Sequence, residues 1–163
     1  MAALQSFTGS EGTAFRNRFD PNGFSSATIG LRSARPLSPS LARRDGEVVA
    51  FGTPGGDQQD QWSLVFFLYW LLGDGNLQAA IDRPMFHSNH FPSSFYPREA
   101  KPRQVEIESR FDAELFSDLR DRGHELELTP EWSLGRLSAA ASSGGHLRAA
   151  ANPRAMQGYA VGR

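Results

Sequence analysis

Gly52-Thr53-Pro54-Gly55-Gly56 is the stretch of this chain best suited to chemistry. Glycine carries no Cβ, so a backbone rich in it can approach a ligand closely. Where such a turn joins a strand to a helix, its free N–H groups and the helix N-terminus together form an anion site. That site suits a phosphate, a carboxylate, or the oxyanion that develops during acyl transfer. Gly55 and Gly56 are the candidate donors, Thr53 is also a candidate substrate-binding residue, and Thr53 and Pro54 shape the turn. A tight strand-to-helix connection with no ligand uses the same residue types, so both readings stand at this point. The pattern is not a phosphate loop, because no Gly-Lys-Ser/Thr follows and no lysine is near, and it is not a G-x-G-x-x-G dinucleotide turn.

Other constellations are weaker. His87 and His90 stand three apart and could share a metal if helical, but Pro84 and Pro92 flank them and no third ligand is evident. Structural histidines are the simpler reading, and neither a metal nor another cofactor is expected. No Gly-x-Ser-x-Gly elbow is present to support a serine nucleophile. Glu106 with Glu108, and Glu125 with Glu127, alternate with Val, Ile and Leu, which predicts carboxylates on the wet face of a strand.

The elements that must position the turn follow from pattern. Pro36 to Ala42 reads as a strand, Arg43-Arg44-Asp45-Gly46 as a hairpin turn, and Glu47 to Phe51 as the returning strand that enters the glycines. Both strands are largely apolar, which places this hairpin in the middle of the fold. From Gln58 to Leu72 the residues are almost continuously apolar after Trp62, too long for a strand and stopped by Gly73, so this run is a helix. Asp57 and Asp60 then lie at its favourable positive end. Asn76 can cap a second helix over Leu77 to Asp82. Residues 85–102, with Pro92, Pro97 and Pro102, are expected to be irregular. Strands are expected at Gln104 to Glu108 and Glu125 to Leu128, with a helix between them that starts at Asp112 and ends at Gly123. Gly135 to Ala141 and His146 to Ala151 form a final hairpin of small residues that suits close packing under helices.

Composition sets further bounds. The chain has 163 residues, enough for one domain with a real core, and divides into an irregular segment over 1–34 and a domain over 35–163. Asp20-Pro21-Asn22-Gly23 is a turn, and a short extended piece is expected near Ala14 to Phe19. A net charge of −1 gives no electrostatic footprint for nucleic acid. Lys101 is the sole lysine and there is no cysteine, which removes disulfides and a cysteine nucleophile. The N-terminal residues lack a basic region and apolar core, so a cytoplasmic location is expected. The run from Trp62 to Leu72 is too short for a membrane span, which needs about 20 apolar residues.

Leu37-Ser38-Pro39-Ser40, the hairpin and Gly52-Thr53-Pro54-Gly55-Gly56 together resemble the small-subunit core of the gamma-glutamyltransferase family, also called gamma-glutamyltranspeptidase or glutathione hydrolase. Asp57-Gln58-Gln59-Asp60-Gln61-Trp62 resembles its hydrolase-like bacterial branch. Ala79-Ala80-Ile81-Asp82-Arg83-Pro84 with Phe86-His87, then Gly123-His124, then Asn152-Pro153-Arg154 keep the family's order, so the likeness covers roughly 35–163. The resemblance implies an α/β (α+β) fold that is part of the four-layer αββα sandwich of N-terminal-nucleophile hydrolases. It implies a gamma-glutamyl substrate such as glutathione, a threonine acyl-enzyme, and a large-subunit partner. In that setting Gly55 and Gly56 would form the oxyanion hole.

Two departures from the family pattern shape the expected function. The family's small subunit opens on a nucleophilic threonine with a histidine two residues later, yet none of Thr8, Thr13, Thr28, Thr53 and Thr129 begins a Thr-x-His sequence. Arg35 and Pro36 stand where the family places a hydroxyl pair for the glutamyl carboxylate; Arg35 can pair with a carboxylate in another geometry, and Pro36 cannot donate. The chain therefore reads as a C-terminal, small-subunit fragment that is inactive alone and associates with a large-subunit segment or with itself. The alternative is a non-catalytic remnant or interaction module that keeps the fold core.

Overall fold

The structure, a computed structural model, describes residues 3–6, 39–154 and 158–161. Five strands, β1 (Ala3–Ser6), β2 (Ser40–Arg44), β3 (Glu47–Gly52), β7 (Ser138–Ser143) and β8 (His146–Ala151), form one sheet in the order β1-β2-β3-β7-β8. All of its pairings are antiparallel. Three more, β4 (Phe86–Ser88), β5 (Gln104–Glu108) and β6 (Glu125–Thr129), form a second sheet in which β5 pairs antiparallel with β4 and parallel with β6. Helices α1 (Gln59–Leu72), α2 (Leu77–Asp82) and α3 (Ala113–Asp121) complete the described elements.

Local chemistry accounts for most of these bounds. The turn between β2 and β3 is Asp45-Gly46, both with positive φ, as a two-residue hairpin turn of matching twist requires. The pairing Val49↔Ala141 makes β3 the centre of the larger sheet, so the apolar hairpin sits where its composition places it. The Asn76 side chain accepts the Ala79 N–H and starts α2. At the end of α1, Gly73 is extended rather than left-handed; a Cβ there would stand 2.6 Å from the Tyr69 carbonyl oxygen, to which the Gly73 N–H donates.

The core lies between one face of the five-stranded sheet and the α1–α2 layer. Val49, Phe51, Ala139, Ala141 and Ala150 face Phe66, Trp70, Leu77, Ala80 and Ile81, all buried. Phe51 and Phe66 rings meet at 4.9 Å. Small residues on β7 and β8 let α2 settle close to β8, as their composition implies.

The structure corrects three expectations. Within the stretch read as irregular, Ala3–Ser6 is a strand paired with β2, because the register Leu4↔Ala42 satisfies an otherwise open strand edge. The extended piece expected near Ala14 to Phe19 lies outside the described residues, as do Pro36 to Ser38 of the expected strand. Phe86–Ser88, inside the proline-rich stretch, pairs with β5 as β4. Third, the wet face expected for β5 fails at Glu108, whose side chain is wholly buried.

Glu108 is buried because remote partners converge on it. Its carboxylate accepts from the Met85 and Leu134 N–H groups, from Arg110 at 2.8 Å, and from Arg154 at 3.1 and 3.2 Å. Burial pushes its pKa up, but the Leu134 amide and the two guanidinium groups outweigh this and hold it below the ordinary glutamate value. The same two arginines donate to the Ile81, Asp82 and Arg83 carbonyls where α2 ends, and Trp132 lies against both guanidinium planes. The Asn152-Pro153-Arg154 motif thereby fastens the end of β8 to α2 and to the smaller sheet. Glu125 and Glu127 remain exposed on β6.

Candidate active site

β3 runs straight into the glycine turn, and α1 begins at Gln59 with Gln58 as its N-cap. Thr53, Gly55 and Gly56 are thus brought together on one turn at the N-terminus of a 14-residue helix. Thr53 is buried and donates its hydroxyl to the Pro54 carbonyl, which fits a shaping role. Gly55 has a φ of +146°, open to glycine and strained for other residues. The carbonyls of both glycines are used: Gly55 O accepts from Gln59 Nε2 at 2.6 Å and Gly56 O from the Gln59 N–H at 3.2 Å. Neither glycine N–H donates to any described residue, and Gly55 is exposed. Two amide donors at the positive end of a helix dipole suit an anion or a developing oxyanion.

The turn has a floor and a wall. Beneath it, a Cβ on Gly55 would lie 3.5 Å from the Trp62 ring. The Trp62 ring meets His87 edge-on at 5.5 Å, and His87 Nε2 lies 3.5 Å from a Glu106 oxygen. Burial lowers the His87 pKa, and the neighbouring Glu106 and Glu127 carboxylates offset this only in part, so His87 is neutral at pH 7. His90 goes elsewhere: it lies at the surface and its Nδ1 accepts the Arg103 N–H. Among the described residues no three His, Asp or Glu side chains gather as metal ligands.

The wall was not foreseen. Asp57 Oδ2 accepts from the Ser93 hydroxyl at 2.9 Å and from the Ser94 N–H at 2.7 Å, which pins the loop after β4 beside the turn. Phe95 from that loop packs on Gly56, where an added Cβ would come within 3.1 Å of its ring. The sequence signal was present as Phe91, Phe95 and Tyr96 among prolines, but nothing local ties such a loop to Asp57. Arg35 lies outside the described residues.

The architecture around this turn has known counterparts. A gamma-glutamyltranspeptidase from Pseudomonas nitroreducens, solved with L-DON, superposes with a TM-score of 0.61 at 22% identity, over 97% of this chain and 70% of that one. The solved structure of LmbA2991HD is 56% identical, with a TM-score of 0.72 over 77% of this chain and 23% of that one. The "Oxamate amidohydrolase proenzyme" of Klebsiella pneumoniae is 29% identical over 93% of this chain. The chain spans about a quarter of that relative, 28% of its length. In class, then, this is a mixed α+β protein that shares its fold with solved gamma-glutamyltranspeptidases. The model of the gamma-glutamyltranspeptidase family matches residues 3–162, and the chain belongs to that family.

Proposed function

We propose that this chain carries the oxyanion-stabilising part of an amide acyl-transfer site, with Gly55 and Gly56 as donors. The observation that supports this is the pair of glycine amides with no described hydrogen-bond partner at the N-terminus of α1. The expected substrate is a gamma-glutamyl compound such as glutathione, cleaved through a threonine acyl-enzyme in intact family members. Arg35-Pro36 in place of a hydroxyl pair allows a different carboxylate grip. A relative named for oxamate, a small amide that bears a carboxylate, agrees with amide hydrolysis as the shared chemistry.

No Thr-x-His sequence occurs within these 163 residues, so this reading takes the nucleophile from outside them. The nucleophile and the large-subunit clamp are the partner contributions this reading requires. The 163-residue chain alone is expected to show no turnover of a chromogenic gamma-glutamyl anilide. In an amide-resolved NMR titration with acetate, a stand-in for the oxyanion, the Gly55 and Gly56 signals are expected to move first. If these two amides stay fixed while acetate reaches molar concentration, the turn is a plain strand-to-helix connection and the non-catalytic reading holds.

A further inference from the structure

The loop after β4 spends its polar groups on itself and leaves its rings in solvent. Ser93 N–H donates to Glu99 O, Arg98 N–H to Phe95 O, Lys101 N–H to Asn89 O, and Phe95 N–H to the Ser93 hydroxyl oxygen. Asp57 then ties it to the start of α1. Yet Phe91, Phe95 and Tyr96 are 77%, 55% and 96% exposed. Large apolar side chains exposed on a hydrogen-bonded loop, beside glycine amides with no described partner, mark a surface suited to a ligand. Gln59 lies beneath the turn: it is 5% exposed, its Nε2 donates to Gly55 O, and its Oε1 has no partner among the described residues.

We propose that Phe95, seated by Asp57 and flanked by Tyr96, is a specificity shelf that selects ligands in which an aromatic or apolar group is attached close to the carboxyl or carbonyl held by Gly55 and Gly56. The inference rests on the donor role given to the turn above. It adds the chemical class of the substituent, which that role leaves open. The geometry behind it is short: the Phe95 ring lies on Gly56 itself, so an oxygen on the glycine amides brings the adjoining part of the ligand alongside the ring. Glycine at 56 lets the ring sit this close, since an added Cβ would crowd it at 3.1 Å.

Two probes separate the shelf from the donors. Acetate reports on the glycine amides alone, and phenylacetate adds a ring one carbon away. In NMR titrations of the full chain, phenylacetate is expected to bind about tenfold more tightly than acetate, the scale of one added aromatic contact. Both Gly56 and Phe95 signals should shift. Phe95→Ala should erase the preference, so that this variant holds phenylacetate no more tightly than acetate, and Phe95→Leu, which keeps apolar bulk, should retain part of it. Acetate binding with no phenylacetate preference overturns the shelf and spares the donors. Failure of acetate to move the glycine amides overturns the donors, and the shelf with them, even if phenylacetate touches Phe95. Phe95 and Tyr96 signals that broaden with protein concentration and ignore phenylacetate would assign the rings to a protein interface and overturn the shelf as well. A Phe95→Ala spectrum that loses dispersion shifts the decision to Phe95→Leu, where an undiminished tenfold preference would show that the ring is not the determinant.

Discussion

Single residues carry more here than their neighbourhood in the chain suggests, and Glu108 carries the most. Its negative charge sits between Arg110 and Arg154, and removing it leaves two guanidinium groups with no carboxylate, one of them fully buried. Glu108→Gln is therefore expected to cost about 3–5 kcal/mol, read as a lower midpoint in urea. Acid should act on the same group. The folded pKa lies below the ordinary 4.5, so the contribution is complete above that value and is lost as pH falls through the folded one. His87 opens an earlier window. Its folded pKa is also lowered, from 6.5, so the unfolded chain takes up a proton first and stability declines as pH drops below that value. Stability measured against pH should fall in two stages, and Glu108→Gln should remove the more acidic one. A single-stage profile in the unsubstituted chain would contradict these assignments.

At the scale of elements, what was legible in the sequence depended on whether the cause was local. The hairpin at Asp45-Gly46, the cap at Asn76 and the glycine turn into α1 each follow from residues a few positions apart, and each stands where pattern placed it. The cap is testable: Asn76→Ala should cost about 0.5–2 kcal/mol, and Asn76→Ser should restore most of it in the same denaturation experiment. Equal losses for both would mean the side chain does not serve as a cap. What was not legible had distant causes. The alternation of Gln104 to Glu108 was read as a solvated carboxylate row, since the arginine in Asn152-Pro153-Arg154 arrives from the far end of the chain. β1 and β4 are only four and three residues long, too short to show a period, and pairing to β2 and β5 makes them strands. At the candidate site the glycine turn was visible from local pattern, whereas the packing of Phe95 on it depends on the Asp57 contact across the fold.

At the scale of the whole molecule, the described residues expose apolar surface on both sides of the main layer. Helix α1 is apolar almost all round, yet Leu64, Leu68 and Leu72 are 56%, 40% and 80% exposed along one stripe. On the sheet face turned away from the helices, Leu147, Ala140 and Ala149 are exposed, and β8 is an edge strand. The 163-residue chain is expected to self-associate, with a sedimentation coefficient that rises with concentration, and Leu64→Lys with Leu147→Lys should reduce it. A concentration-independent monomer would remove this expectation. The larger sheet also sets an order in time. Its two hairpins, β2–β3 and β7–β8, close over tight turns at Asp45-Gly46 and Gly144-Gly145, and so can form early. The seam between them, β3 to β7, joins strands separated by everything from residue 53 to residue 137. Closing so long a loop costs entropy before the pairing returns any, so this seam is expected to form late in folding. The glycine turn leaves β3 at that seam, where Gly52 pairs with Ser138, so Gly55 and Gly56 are expected to reach their final places only after the two hairpins have met.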